Sequence, residues 1–265
     1  MSVPTSSELK AFIKVSATVA RNLRKALNAE DIYVATGVST SVVPFCHLTK
    51  AFQVHAAVLT LCKAGFGSEA FALSRLILEM SMALRWITNQ DQVKRADSFA
   101  LFEAKRRQYF ATIFAKYNPG SPFVAGAIQY VDNLYKQYAD KYKSFKFWSN
   151  APNNLKDMAT EPEVLYGPLA PPHNDDLWHY DIPYSMASDH VHCTAVAMVE
   201  SFPPIRAPYK VTEAREPKLV RDAAFSATQW LFSIAVRVDA YRKLNLRDKI
   251  DKAYTPFKEF IDAHT

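Results

Sequence analysis

Arg75 and Glu79 lie four residues apart in the most apolar stretch of the chain. Four residues are about one helical turn, so both side chains would share one face of a helix. Burying a lone guanidinium or carboxylate is costly, so this pair needs polar partners from another helix. Tyr184, Ser188 and His192, at i, i+4 and i+8, form a second polar line. The spacing therefore predicts one polar site between two helices.

These side chains favour three interpretations of the site. In a catalytic site, His192 would act as general acid or base, and Arg75 would stabilise a phosphorane-like or oxyanionic transition state. Glu79 or Tyr184 would then orient the imidazole. In a structural network, Arg75, Glu79, Ser188 and His192 would satisfy one another and fix the register of two helices. In a binding site without catalysis, Arg75 would clamp an anionic group.

Helical periodicity predicts the elements that must position these residues. Predicted helices span about 6–27, 41–63, 68–88, 91–117, 121–147, 182–201, 217–243 and 247–263, with at most a short helix at 154–159. The third should be central and the sixth buried, with Asp181 as its N-cap. We therefore expect an all-α fold, a single bundle of about seven to eight helices. One domain should cover 1–265, with irregular loops at about 148–180 and 202–216.

Composition narrows the functional classes. Hydrophobic residues make up 49% of the 265 positions, enough for a packed interior, and only six glycines argue against hairpin-rich folds and phosphate loops. No G-x-S-x-G or H-E-x-x-H pattern occurs. Three scattered cysteines and a polar N-terminus favour a reducing compartment, so we expect a cytoplasmic protein without a membrane span.

Basic and metal-ligating side chains allow further interpretations. The formal charge of +6 includes clusters at Arg21/Arg24/Lys25, Lys105/Arg106/Arg107 and Arg237/Arg242/Lys243/Arg247. Such clusters are typical of solvated helix faces, and the alternative is an anion-binding surface. A second group comprises His173, Asp175, Asp176, His179, Asp181, Asp189, His190 and His192. Its spacing fits no metal motif, so a polar capping loop is favoured over a metal site, and no metal or cofactor is predicted.

Isolated histidines and tryptophans favour structural roles. His47 and His55, eight residues apart, could face one site, but single histidines among apolar residues are more often structural. Trp86, Trp148, Trp178 and Trp230 are expected in the core.

A family resemblance rests on these same residues. The string Ala72-Leu-Ser-Arg75-Leu-Ile-Leu-Glu79, the pair Arg85-Trp86 and the line Tyr184-x-x-x-Ser188-x-x-x-His192 are its main motifs. With Trp148 and Asn154-Leu155-Lys156-Asp157-Met158, they resemble the bacterial family called domain of unknown function 5677, over roughly 59–199. The resemblance implies an all-α fold in which polar residues of two helices meet, without a known activity.

A more distant resemblance is to the HEPN (higher eukaryote and prokaryote nucleotide-binding) helical domains. Several of these cleave RNA with an R-x(4 to 6)-H motif, but no arginine lies at that distance before His190 or His192. Our leading hypothesis is RNA or phosphate-ligand chemistry at Arg75, Glu79, Tyr184, Ser188 and His192 in bacterial defence or stress. Its partners would be RNA, a small anion or a second copy of the chain. The alternative is a non-catalytic ligand-binding or protein-interaction module with a structural network.

Overall fold

The computed structural model describes residues 6–28, 39–136, 155–162, 176–192 and 218–264. These parts of the chain contain no strand and are almost entirely helical. The helices are α1 (Ser6–Leu27), α2 (Ser39–Ala64), α3 (Gly67–Asn89), α4 (Gln92–Tyr117), α5 (Pro122–Lys136), α6 (Leu155–Thr160), α7 (Asp176–His179), α8 (Ser185–Val191), α9 (Lys218–Arg242) and α10 (Arg247–Asp262). A π-helical turn, Tyr180–Tyr184, joins α7 to α8.

The all-α prediction is confirmed. Eight of the helices in the described residues have seven residues or more, and the bounds of the long helices agree with the sequence pattern within about two residues. The predicted helix at 121–147 is described only as far as Lys136. The predicted loop at 202–216 lies outside the described residues, and the single domain over 1–265 stays a prediction.

Helix α3 lies at the centre of the bundle, as its composition predicts. It packs against α2 and α9 on one side and against α4, α6 and α8 on others, while α1 packs on α9 and α10. Ile77, Leu78 and Leu84 of α3 are fully buried, and they meet Leu231 and Ile234 of α9 in one continuous core. Full burial of each such side chain stabilises the fold by roughly 1.5 to 3 kcal/mol. Any charge on α3 is therefore close to an apolar interior.

The turn between α9 and α10 is held by a buried carboxylate. Asp239 accepts a hydrogen bond from the Leu246 backbone N–H at 2.8 Å. Lys243 and Asn245 in this turn have positive φ, at 53° and 59°. This bond satisfies the backbone N–H of Leu246, the residue just before α10. Its free energy offsets part of the cost of the two positive φ angles.

Helix α2 is long and apolar enough to cross a membrane by length and composition over Thr40–Ala64. Half of its apolar 18-residue stretch is buried in the fold, and α2 packs against α1, α3, α4 and α9. A helix in the interior of a bundle has to be apolar on most of its faces, which accounts for this composition.

The described part of the predicted sixth helix differs from expectation in three ways. The chain is already helical from Asp176, so Asp181 is not an N-cap and instead forms an ion pair with Lys156, with 3.7 Å between Oδ1 and Nζ. Pro183 lies inside the π turn, because its ring and missing N–H disfavour a regular α turn there. Within 182–192 only Ala187 is buried, because one face of this segment packs on α3. Trp178, expected in the core, is exposed.

Three other tryptophans are also predicted to lie in the core. Trp86 and Trp230 are buried, which confirms the prediction for these two. Trp148 lies outside the described residues.

Two buried histidines of α2 have structural roles. His47 Nδ1 donates to the Val43 carbonyl at 2.9 Å, and His55 Nε2 lies 3.1 Å from the Thr228 hydroxyl oxygen of α9. The Thr228 hydroxyl itself donates to the Ala224 carbonyl, so it accepts from a neutral imidazole of His55. Burial lowers the pKa of His47 and lowers that of His55 to about 4. Both rings are therefore neutral parts of the interior.

We expect His55 to make the fold acid-sensitive. Its folded pKa of about 4 lies below the ordinary 6.5, so its full contribution is present above pH 6.5 and falls as the pH drops toward 4. Between pH 7.5 and 4.5 the wild type should lose about 2 to 3 kcal/mol more unfolding free energy than His55→Gln, which keeps a donor for Thr228. Urea unfolding at both pH values measures this difference. His192→Gln, at an exposed position, should follow the wild type, and equal pH dependence in His55→Gln would contradict the assignment.

Candidate functional site

Arg75 connects α3 to the segment that follows α7. Its Nε donates to Glu79 Oε1 at 2.7 Å, one turn along the same helix. Its Nη1 donates to Ser188 Oγ at 3.0 Å, and its Nη2 donates to the Tyr184 hydroxyl oxygen at 2.7 Å. One guanidinium therefore bonds to three side chains, one each from α3, the π turn and α8. We call Arg75, Glu79, Tyr184 and Ser188 the Arg75 cluster.

Tyr184 contacts the guanidinium with its ring as well as its hydroxyl. The Cζ atom of Arg75 lies 4.2 Å from the centre of the Tyr184 ring, a cation–π distance. The ring of Tyr180 stacks on that of Tyr184, with 4.7 Å between centres. Burial, with a contribution from the Glu79 carboxylate, raises the pKa of Tyr184. The phenol consequently stays protonated at neutral pH and accepts from Arg75 as a neutral group.

The backbone of the segment places Tyr184 and Ser188 one turn apart on the side that faces α3. Tyr184 ends the π turn, and α8 begins at the next residue. Ser188 Oγ accepts from Arg75 and donates to the Tyr184 carbonyl at 2.8 Å, so its hydroxyl is used in both directions. π turns are uncommon in proteins but are often found at functional sites. Here the turn contains Tyr184 and precedes Ser188, the two residues of this segment that accept from the arginine.

His192 does not join these bonds. It forms the C-terminal cap of α8 through its backbone N–H, which donates to the Ser188 carbonyl at 2.9 Å, and its side chain is exposed. None of the hydrogen bonds that Arg75 donates within the described residues goes to His192. His190, two residues earlier, lies edge-on to Phe71, with 6.1 Å between ring centres. The structure therefore brings together four of the five predicted site residues.

The hydrogen bonds of the Arg75 cluster suit a structural junction between α3 and the segment that contains Tyr184 and Ser188. The Arg75 and Glu79 side chains are 15% and 30% exposed, so water reaches the pair only in part. A guanidinium has five N–H groups, and three different nitrogens of this one already donate to protein oxygens. Bonds to three groups in fixed geometry suit a positioning role for Arg75.

A second polar cluster, which the sequence analysis did not predict, centres on Glu161 just beyond α6. Arg95 donates to both carboxylate oxygens of Glu161, at 2.7 and 3.0 Å, and Asn89 donates to Oε1 at 2.7 Å. The Arg95 guanidinium also lies over the Trp86 ring, 4.1 Å from its centre. These contacts attach 155–162 to α3 and α4. The signal in the sequence was Asn89 at the end of an apolar helix, a residue that needs a polar partner when buried.

Arg85 adds a third contact to the end of α6. Its guanidinium donates to the backbone carbonyls of Met158, Ala159 and Glu161. These carbonyls belong to the last turn of α6 and the residue after it, where a helix leaves acceptors unsatisfied and its dipole is negative. The Arg85-Trp86 pair of the sequence motif thus has a structural role at this junction.

The basic clusters of the sequence divide between structural and exposed roles. Arg237 is buried and donates to Thr88 Oγ1 at 2.8 Å, Arg242 donates to Ser41 Oγ at 3.1 Å, and Arg247 pairs with Asp251. Arg24 lies over the Phe52 ring, and the exposed Arg21 borders a groove described below. The side chains of Lys105, Arg106 and Arg107 lie outside what the structure describes.

The histidine and aspartate group does not assemble within the described residues. His173 and Asp175 lie outside them, as does the side chain of Asp176. Where side chains are described, no three His, Cys, Asp or Glu residues come close enough to hold a metal ion. His179 instead contacts Trp178 and Trp230 edge-on.

Comparison with known proteins places the chain in a family. The model of the family of unknown function DUF5677 matches residues 41–202. The chain belongs to this family. The match contains both motifs that form the Arg75 cluster, and it extends beyond the predicted resemblance at both ends. No curated protein and no solved structure matches the chain.

Removing the Tyr184 hydroxyl should weaken the junction between α3 and α8. Tyr184→Phe keeps the stacked ring but takes away an acceptor of the charged guanidinium, so we expect a loss of about 1 to 2 kcal/mol in unfolding free energy. Tyr180→Phe is the matched control, because no hydrogen bond of its hydroxyl is found within the described residues, and it should change stability by less than about 0.5 kcal/mol. Denaturant unfolding compares the two. Equal effects would show that the bond to Arg75 contributes nothing specific.

Glu161→Ala should destabilise the protein far more than loss of an exposed ion pair. It leaves Arg95 and Asn89 without their shared acceptor in a site where the paired side chains are only 12% and 15% exposed. We expect a cost of about 2 to 3 kcal/mol. Asp251→Ala breaks the exposed Arg247–Asp251 pair and should cost about 0.5 kcal/mol or less. Thermal and urea unfolding give both values, and a cost for Glu161→Ala no larger than that of the control would contradict this role.

Proposed function

We propose that this protein is a non-catalytic binding module in which the Arg75 cluster holds the segment 176–192 against α3. The observation that carries the proposal is that Arg75 donates to Glu79, Tyr184 and Ser188, while His192 is exposed and receives none of these bonds. General acid–base chemistry needs a base within about 2.6 to 3.2 Å of the proton that it takes up, or one water away. A guanidinium that already donates to three protein side chains supports a junction better than a reaction centre.

The held segment presents an apolar surface outward. Trp178, Ile182 and Met186 follow one another at intervals of four residues and are 53%, 47% and 49% exposed. Aligned large apolar side chains that remain open to solvent are typical of protein-binding surfaces, and aromatic residues and methionine are enriched there. The Arg75 cluster would fix this surface in one conformation, which lowers the entropy lost when a protein partner binds.

The nuclease hypothesis and its partners stay predictions. RNA cleavage at Arg75, Glu79, Tyr184, Ser188 and His192 would require the exposed imidazole of His192 and the guanidinium of Arg75 to act on the same bound ligand. Four further expectations also stay predictions: an RNA or small-anion partner, a homodimer, a cytoplasmic location, and a role in defence or stress. Membership in a family without an assigned activity supports neither hypothesis over the other, so the geometry of Arg75 decides our preference.

Three measurements, of RNA cleavage, melting temperature and amide hydrogen exchange, distinguish the module from a nuclease. Purified wild type should leave single-stranded and duplex RNA intact, and His192→Ala should change neither this result nor the melting temperature. Arg75→Gln should increase amide hydrogen exchange in 176–192 well above that in α10, because the segment loses its bonds to α3. Arg247→Gln, at an exposed ion pair, is the control and should leave exchange in 176–192 unchanged. RNA cleavage by the wild type that His192→Ala abolishes at an unchanged melting temperature would overturn the proposal.

A further inference from the structure

A groove of about 500 Å³ lies between α1, the end of α2 and the start of α9. Its apolar wall contains Ile13, Cys62 and Val220, which are 6%, 3% and 2% exposed. Leu9, Ala17 and Gly65 complete this wall. Cavities of roughly 300 to 1,000 Å³ with mostly apolar walls are the usual size of small-molecule sites.

Four cations border the same groove. Lys10, Lys14 and Arg21 lie on one face of α1, and Lys63 lies opposite them near the end of α2. All four side chains are exposed, and no ion pair joins any of them to an acidic side chain within the described residues. The residues that the structure shows lining the groove include no aspartate or glutamate. The groove therefore has a positively charged border and an apolar interior.

We propose that this groove binds a small amphipathic anion, a molecule with an apolar chain and a carboxylate or phosphate head. The chain would lie against Ile13, Cys62 and Val220, where burial of apolar surface is favourable. The head would lie among Lys10, Lys14 and Lys63, whose ammonium groups attract both a carboxylate and a phosphate. Apolar burial and charge attraction act together only for a ligand that has both parts.

Two other ligand classes fit the groove less well. Single-stranded nucleic acid is bound through aromatic side chains on which bases stack, and the described lining of the groove has none. A reactive electrophile would need a nucleophile, but burial raises the pKa of the Cys62 thiol to about 12, and its sulfur lies 3.6 Å from the Val220 carbonyl oxygen as a donor. The cysteine is therefore part of the apolar wall and not a reactive group.

The described lining of the groove shares no residue with the Arg75 cluster. Leu9 to Arg21 and Val220 lie outside the matched family region 41–202. The site is thus built largely from parts of the chain that the family model does not cover.

Calorimetric titration of the full chain with decanoate and with decyl phosphate, both below micelle formation, tests the proposal. At least one should bind with one molecule per chain, while decanol and decyltrimethylammonium bind at least ten times more weakly. Decanoate without decyl phosphate would assign a carboxylate head, and the reverse a phosphate head. No saturable binding of either anion, or equal binding of decanol, would overturn the proposal. Binding only to anionic phospholipid vesicles, without competition by free decanoate, would assign the basic edge to a membrane surface instead.

Matched variants locate the site. Lys10→Gln with Lys14→Gln should weaken anion binding at least tenfold, and Ala17→Phe should weaken it by filling the groove. Lys25→Gln with Lys50→Gln removes the same charge from exposed positions outside the groove and should change binding less than twofold. Melting temperatures of all variants show whether they fold. If the two double variants weaken binding equally, the effect is one of net charge and the proposed site is wrong.

Discussion

The guanidinium of Arg75 lies on the central helix of the bundle, beside residues that are completely buried, and it has to be compensated there. Glu79 supplies one acceptor from the same helix, and the remaining acceptors come from 109 and 113 residues further along the chain. Leaving such a group without partners costs several kcal/mol, a large part of the roughly 5 to 15 kcal/mol that stabilises a typical domain. The three bonds of this one charge therefore help to hold segment 176–192 against α3, together with the packing of Ala187.

Polar side chains near the C-terminal end of α3 also need hydrogen-bond acceptors from another element. Arg85 donates to carbonyls at the end of α6, and Asn89 and Arg95 donate to Glu161 just beyond it. Polar side chains of α3 thus attach two short elements, α6 and α8. Directional bonds add to the hydrophobic contacts of Met158, Ala159 and Ala187 at these junctions, because short helices gain little from propensity and depend on tertiary partners.

The two candidate binding surfaces differ in charge. The proposed surface on 176–192 consists of the large apolar side chains Trp178, Ile182 and Met186, whereas the groove on α1 has four exposed cations around an apolar wall. Among the described residues, the first surface offers apolar area for a protein, and the second offers positive charge for a small anion. Their chemistry therefore points to different kinds of ligand.

The sequence by itself determined the helical class, the bounds of the long helices and the pairing of Arg75 with Glu79. Periodic apolar residues and i, i+4 spacing are local properties, so they can be predicted without the fold. It also indicated that Tyr184 and Ser188 would supply partners, because a buried charge requires them. Only the tertiary structure decided that His192 stays outside the cluster, that Trp178 is exposed and that Glu161 joins α3 to α4. These outcomes depend on where a helix ends and which of its faces meets another helix, and contacts between residues far apart in the chain set both.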